Sequence, residues 1–280
     1  MAGQEAKQWN RDTKWRQGNV LPLAAMEHFL LSYPGGADAH CVVVVSHDCD
    51  LANDNLTVEP DVEVIVGRIV QKVDGNFTWG KAPRTLHYAA TRGGEPVHIE
   101  LVSTRKQSIA KSELARFEPD ETFGLDGKSL AVLRSWLGSR YNRAAFPDAF
   151  VKRMASTKAD SKLSKALEKS SELISFVYFD VDAGKSIERK EGDPYQLGIV
   201  LVFAPGEDVD ASAEAADRLA TEIEDAVRLR LQDGKFIVLK ACFSISEDDL
   251  PVSRARTLTQ WRLEYMTLKA DDDQLGPPIL

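Results

Sequence analysis

Cys41-Val42-Val43-Val44-Val45-Ser46-His47-Asp48-Cys49-Asp50-Leu51 is an apolar run that ends abruptly in a cluster of ionisable side chains. β-Branched residues suit a pleated surface and lose rotamer freedom in a helix, so four successive valines predict a fully buried strand. His47, Asp48, Cys49 and Asp50 follow at once. In sheets flanked by helices, strand ends carry binding loops, because a rigid base there presents side chains with little freedom. One stretch therefore points both to a central sheet and to a place where chemistry is expected.

Upstream, residues 1–20 are polar apart from Trp9 and Trp15, two aromatics expected to dock a terminal arm on the body. Residues 21–32 have helical spacing, and Tyr33-Pro34-Gly35-Gly36 ends them with turn residues. Downstream, 62–73 reads as a strand, Asp74-Gly75-Asn76 as a hairpin turn, and Phe77-Thr78-Trp79 as the returning strand. Further short strands are expected at 87–90 and 97–104. From Lys111 the character turns helical. Leu130, Leu133, Trp136 and Leu137 share one face over 129–143, and Pro147-Asp148 opens another helix running towards Ser170.

The last third predicts strands at 173–181 and 197–204, a long amphipathic helix at 211–231, and strands at 236–245 and 257–268. This β-β-α-β-β order suits an antiparallel sheet with a helix across one face. The fold class is α/β or α+β, a mixed central sheet flanked by helices. The expected division is a catalytic α/β region at 1–170 and an α+β region at 171–280, with one continuous sheet as the competing arrangement.

Composition narrows the function classes. A chain of 280 residues, 43% hydrophobic and 28% charged, is that of an ordinary globular protein, and its net charge of −8 opposes a generally basic surface. A local basic patch stays open. Lys152, Arg153, Lys158, Lys162, Lys165 and Lys169 form the most basic segment, either a solvated helix face or a surface touching DNA phosphates. Cys41, Cys49 and Cys242 lie too far apart for a metal knuckle and are odd in number, which suggests a reducing, cytoplasmic setting. The N-terminus lacks the apolar core of a signal peptide, and no stretch reaches the roughly 20 apolar residues of a membrane span. Neither secretion nor a membrane partner is expected, and oligomeric state is left open.

At residues 47–50, alternation along a strand end would send His47 and Cys49 one way and Asp48 and Asp50 the other, aiming two carboxylates into one crevice. The bland alternative is a helix cap at Asp50. Paired carboxylates serve metal-assisted phosphodiester cleavage, glycosidic hydrolysis, or acid–base work on a small molecule. The metal route would need a further acid such as Glu59, Asp61 or Glu63, but Pro60-Asp61 followed by Glu63-Val64-Ile65 does not complete a nuclease-like Glu-x-Lys. His47 and Cys49 have no second pair at zinc spacing, and neighbouring acids oppose a Cys49 thiolate. Cleavage of an N-glycosidic bond asks for a carboxylate to activate water and a donor such as His47 to assist the leaving base, with no metal or cofactor. A base drawn from DNA also needs aromatic and polar pocket walls, for which Trp79, Tyr88, Arg105, Trp136, Arg140 and Tyr141 are available.

A hydrophobic strand ending in an Asp-bearing loop resembles the water-activating element of uracil-DNA glycosylases in context, though not in residues. The nearer match to their motif, Gly192-Asp193-Pro194-Tyr195, precedes a strand instead of following one. Ser46-x-x-Cys49-Asp50-Leu51 and Trp136-Leu137-x-x-Arg140-Tyr141 resemble elements of bacterial phage-defence DNA glycosylases that excise glucosylated hydroxymethylcytosine. The resemblance implies base excision from phage DNA, with Asp50 or Asp48 activating water and His47 helping the base depart. Cys49, Trp79, Arg105, Arg140 and Tyr141 would line the pocket, and Lys152, Arg153, Lys158 and Lys162 would lie on the backbone. A metal-dependent nuclease and a non-enzymatic binding module are the alternatives.

Overall fold

The computed structural model describes residues 8–33, 40–139, 146–170, 172–185, 187–231 and 234–262. The fold is mixed α and β, with two separate sheets. The chain divides into two compact units, Met1–Val73 with Pro83–Tyr141, and Asp74–Ala82 with Asn142–Leu280.

In the first unit, α1 (Leu23–His28) precedes β1 (His40–Val44), α2 (Asp48–Ala52) and the long β2 (Asp61–Val70). Next come the hairpin β3 (Thr85–Arg92) and β4 (Glu95–Val102), then β5 (Lys106–Ala110), α3 (Lys111–Leu114), β6 (Phe123–Gly124) and α4 (Gly127–Ser139). The strands run in the order β1-β2-β4-β3-β6, and β5 shares the β4 edge of β2. All these pairings are antiparallel.

The valine run is apolar throughout because both faces of this sheet are covered. Val42 and Val44 join Val62, Val64 and Val66 in a core closed by Trp9, Trp15, Leu21 and Met26, whereas Cys41, Val43 and Val45 join Ile65, Leu86, Ile99, Leu133 and Trp136 on the other side. The two arm tryptophans do dock, and the Trp9 indole N–H donates to the Leu51 carbonyl at 2.9 Å. The arm also bonds to β1, with the Gly18 and Leu21 N–H groups reaching Val44 and Val42 carbonyls. Gly18 sits at φ +92°, and a Cβ there would lie 2.8 Å from Leu125.

The second unit contains α5 (Asp148–Thr157), α6 (Ala159–Glu168), β7 (Ile174–Val181), β8 (Tyr195–Phe203), α7 (Val209–Arg230), β9 (Ile237–Ser246), α8 (Val252–Ala255) and β10 (Thr259–Gln260). Its sheet runs β10-β7-β8-β9. The strand order expected from sequence is present, but β8 and β9 are parallel. The correction has a simple cause: α7 is long enough to carry the chain back to the starting edge, making a β-α-β crossover. Phe150, Leu163, Leu167, Phe179, Leu197, Ile223 and Val227 form the core. Since α5 and α6 contribute to it, the units divide after Tyr141 and not near residue 170. The helix expected to run to Ser170 breaks at Lys158, whose left-handed conformation (φ 58°) ends α5 and starts α6.

Asp74-Gly75-Asn76 is a turn but not a hairpin. The Asp74 carboxylate accepts from the Asn76 N–H at 2.8 Å and the Gly75 N–H donates to the Glu168 carbonyl, so the segment is bonded into the second unit. Trp79 and Gly80 follow in left-handed conformations. Lys81, almost fully buried, donates to Thr78 Oγ1 at 2.9 Å and to the Ile174 carbonyl.

Candidate functional site

The polar cluster after β1 is a short helix rather than a continued strand, and this overturns the expected convergence of two carboxylates. His47 is the N-cap of α2, its Nδ1 accepting from the Cys49 N–H at 3.2 Å. In the neutral ring that bond leaves the proton on Nε2, which can then act as a donor. Residues two apart on a helix point in nearly opposite directions, so Asp48 and Asp50 diverge. Asp50 and Cys49 are exposed. The backbone carbonyl of Asp50 accepts from the buried Lys111 ammonium, which also bonds the Asn53 carbonyl at 2.9 Å. Burial pushes Lys111 below the usual lysine range, opposed by Glu59, Asp50, Asp54 and Asp61.

Asp48 is the acid that the fold holds in place. Its Oδ1 accepts from the Gln17 N–H at 2.8 Å and its Oδ2 from Arg134 Nη2 at 3.1 Å. Arg134 Nε donates to Gln17 Oε1 at 2.8 Å, and Gln17 Nε2 to the Val45 carbonyl at 2.8 Å. Arm, strand end and α4 are thus tied through one carboxylate. The closed loop of contacts fixes its orientation, although at 38% side-chain exposure the ion pair itself adds little stability.

Also in this unit, a cleft of about 380 Å³ is lined by Ile65, Pro83, Trp136, Leu137, Ser103, Thr104 and Lys106. Its lining combines apolar side chains with two hydroxyls and an ammonium, a combination suited to a planar group with polar edges. Lys106 pairs with Glu63 at 2.7 Å, and the Glu63 N–H donates to Ser46 Oγ at 2.8 Å, linking the cleft wall to the residue before His47. Gln17 also lines a smaller cavity of about 110 Å³, together with Tyr88, Phe123 and Leu130.

The remaining expected residues are distributed as follows. Arg105 stacks on Tyr33, 4.1 Å from the ring centroid. Trp79 belongs to the second unit and donates to the Glu172 carbonyl at 3.2 Å. Arg140 and Tyr141 lie outside the described residues. Lys152 and Lys158 are exposed and Lys162 is half-buried. Arg153 is buried, its guanidinium bonding the Asp193, Phe236, Arg189 and Lys190 carbonyls, so it serves as an internal tie and is not available to a phosphate.

No sequence motif marks Gln17 or Arg134, which reach Asp48 only through tertiary structure. The same holds for a row across three strands, where buried Glu100 accepts from the exposed Arg68 at 2.6 and 3.1 Å and bonds buried His87 at 3.0 Å. Burial alone would raise the Glu100 carboxyl, but its bonds to His87 and Arg68 prevail and hold it at about 2. Burial pushes the Cys41 and Cys242 thiols up to about 12, so neither is poised as a thiolate. Among the described residues, no three His, Cys, Asp or Glu side chains gather so as to hold a metal ion, and no helix is long and apolar enough to cross a membrane.

No protein-family model, curated protein or solved structure matches this chain.

Proposed function

We propose that this chain hydrolyses the N-glycosidic bond of a modified base in phage DNA, with glucosylated hydroxymethylcytosine the leading candidate, leaving an abasic site. The observation that carries the reading is Asp48, a carboxylate held by Gln17 and Arg134 in the unit that also contains a cleft lined in part by Trp136. Glycosidic cleavage passes through an oxocarbenium-like state, which a fixed carboxylate stabilises while it orients the attacking water. In this reading Asp48 has that role, and Asp50, which points elsewhere, does not. His47 offers an Nε2–H to the departing base, a role that its cap bond through Nδ1 leaves open. The cleft volume suits a base with an attached sugar, Trp136 giving an apolar wall and Ser103, Thr104 and Lys106 giving hydrogen-bond donors.

The test is to incubate the protein with glucosylated phage DNA in excess chelator and then treat with alkali. Strand breaks that need alkali and survive chelation support the proposal. Direct breaks abolished by chelation point to a metal-dependent nuclease, and a folded protein that leaves all such DNA intact points to a binding module. Either of the last two results overturns the proposal.

A further inference from the structure

A row of uncompensated positive charge lies along α6. Lys158, Lys162, Lys165 and Lys169 recur at steps of four, three and four, which on an α-helix puts them in one stripe about 60° wide. Lys158 is the N-cap and Lys169 the C-cap, so the stripe runs the full length of the helix. Lys158, Lys165 and Lys169 are exposed and Lys162 is half-buried, while the opposite side of the helix is anchored in the core through Ala159, Leu163 and Leu167. The acids of the helix, Asp160 and Glu168, fall outside the stripe.

None of the four ammonium groups pairs with a carboxylate among the described residues. On the neighbouring α7, by contrast, Glu214 and Glu224 are paired with Arg218 and Arg228. In a chain of net charge −8, a row of four unpaired cations opposes the overall composition. It is not needed for folding, because α6 is held by its leucines. Mutual repulsion among the four makes the row slightly unfavourable until an anion is supplied.

We infer that the Lys158–Lys162–Lys165–Lys169 ridge is a binding surface for the phosphate backbone of DNA, independent of base sequence. The dimensions suit this partner. Eleven steps at helical rise span about 16 Å, the axial length of roughly five base pairs of duplex at about 3.4 Å each. Adjacent lysines lie about 4.5–6 Å apart along the axis, and their flexible stems let the ammonium groups reach out to nearby phosphates. Flexible lysines act as point charges and impose no base preference. The ridge rests on the proposed action on DNA for its choice of polyanion, and in the expected backbone contacts it has Lys165 and Lys169 in place of Arg153 and of Lys152, which lies on α5.

The experiment measures binding of the full chain to an unmodified 20-base-pair duplex (about two helical turns) by fluorescence anisotropy over a range of salt concentrations. It compares the wild type, a fourfold Lys→Gln variant and a fourfold Lys→Arg variant, with helicity checked by circular dichroism. Loss of the ridge should weaken binding about a hundredfold at low salt and flatten the plot of log affinity against log salt by about 3 to 4, roughly one per lysine. The Lys→Arg variant should bind as the wild type does. Equal affinity and slope in the wild type and the Gln variant overturn the inference, as does absence of duplex binding by the wild type. Lysine-dependent binding to phosphatidylserine vesicles, with none to DNA, overturns it in favour of a membrane surface. Excision assayed in parallel on glucosylated DNA separates the two readings. Excision with a ridge-independent duplex affinity removes the ridge alone, and ridge-dependent duplex binding without excision removes the glycosylase alone.

Discussion

Replacing Lys81 by Met should change how stability depends on pH. Burial pushes the ammonium down to about 7, with Asp74 acting in the opposite sense, whereas the ordinary lysine value is 10.5. Between these values the unfolded chain holds a proton that the folded chain has released. Stability therefore rises with pH across that window, by up to about 1.4 kcal/mol per pH unit. Below pH 7 both states are protonated and the folded state carries the full cost of a buried charge. From pH 7 to pH 9 the gain is about 2 kcal/mol, since at pH 7 the buried amine is half titrated. Lys81→Met removes this dependence along with the bonds to Thr78 and Ile174. Urea denaturation followed by tryptophan fluorescence should show the difference between wild type and variant growing by about 2 kcal/mol in favour of the wild type between pH 7 and 9. Parallel stabilities across that range would refute the argument, because a lysine that stays charged in the fold has no reason to titrate there.

Other expectations follow from the same contacts. Asp48→Asn should lower excision of a modified base by about 10²–10⁴-fold with a stability loss under about 1 kcal/mol, and Asp50→Asn should leave excision within about threefold of wild type; counting alkali-dependent breaks and measuring melting separates these effects. Glu100→Gln should cost about 3 kcal/mol at pH 7, from a carboxyl held at about 2 against an ordinary 4.5. Because that contribution is present above pH 4.5 and lost on descent towards pH 2, the gap in stability between wild type and variant should close in acid, as measured by urea titration at pH 7, 4 and 3. Gly67→Ala should destabilise the first sheet by about 2–3 kcal/mol, since a Cβ there would meet the Glu100 carbonyl and Leu101 at 2.6 Å; a melting temperature unchanged by the substitution would contradict this.

Where an element makes its own local pattern, the sequence is enough to find it. The valine strand, the β3–β4 hairpin with Gly93 and Gly94 in its turn, and the α7 helix capped by Asp208 are all of this kind. β5 is harder to see, because Lys106-Gln107-Ser108-Ile109-Ala110 buries only Ile109 and so lacks alternation. Asp74-Gly75-Asn76 has the residues of a hairpin turn and does turn, but turn chemistry says nothing about which sheet the chain meets next. Parallel pairing of β8 with β9 is likewise a property of the crossover and not of either strand. At the candidate site, the position of the acids is legible, whereas their directions are not. Capping by His47 changes a period of two into helical geometry, and the partners of Asp48 come from positions 17 and 134.

The hydrogen bond from Lys81 to Ile174 spans 93 positions of chain. During synthesis at about 5–20 residues per second, the acceptor emerges roughly 5–20 s after the donor. The later strands of the first sheet, β3 to β6, are made within that interval, β1 and β2 having preceded the donor. Residues 74–82 must therefore wait on the ribosome as an undocked loop of a nearly complete sheet, with an amine that is solvated and charged until β7 arrives. That interval is when this loop is most open to proteases, and an assay of nascent chains stalled before and after residue 174 would detect the moment of its protection.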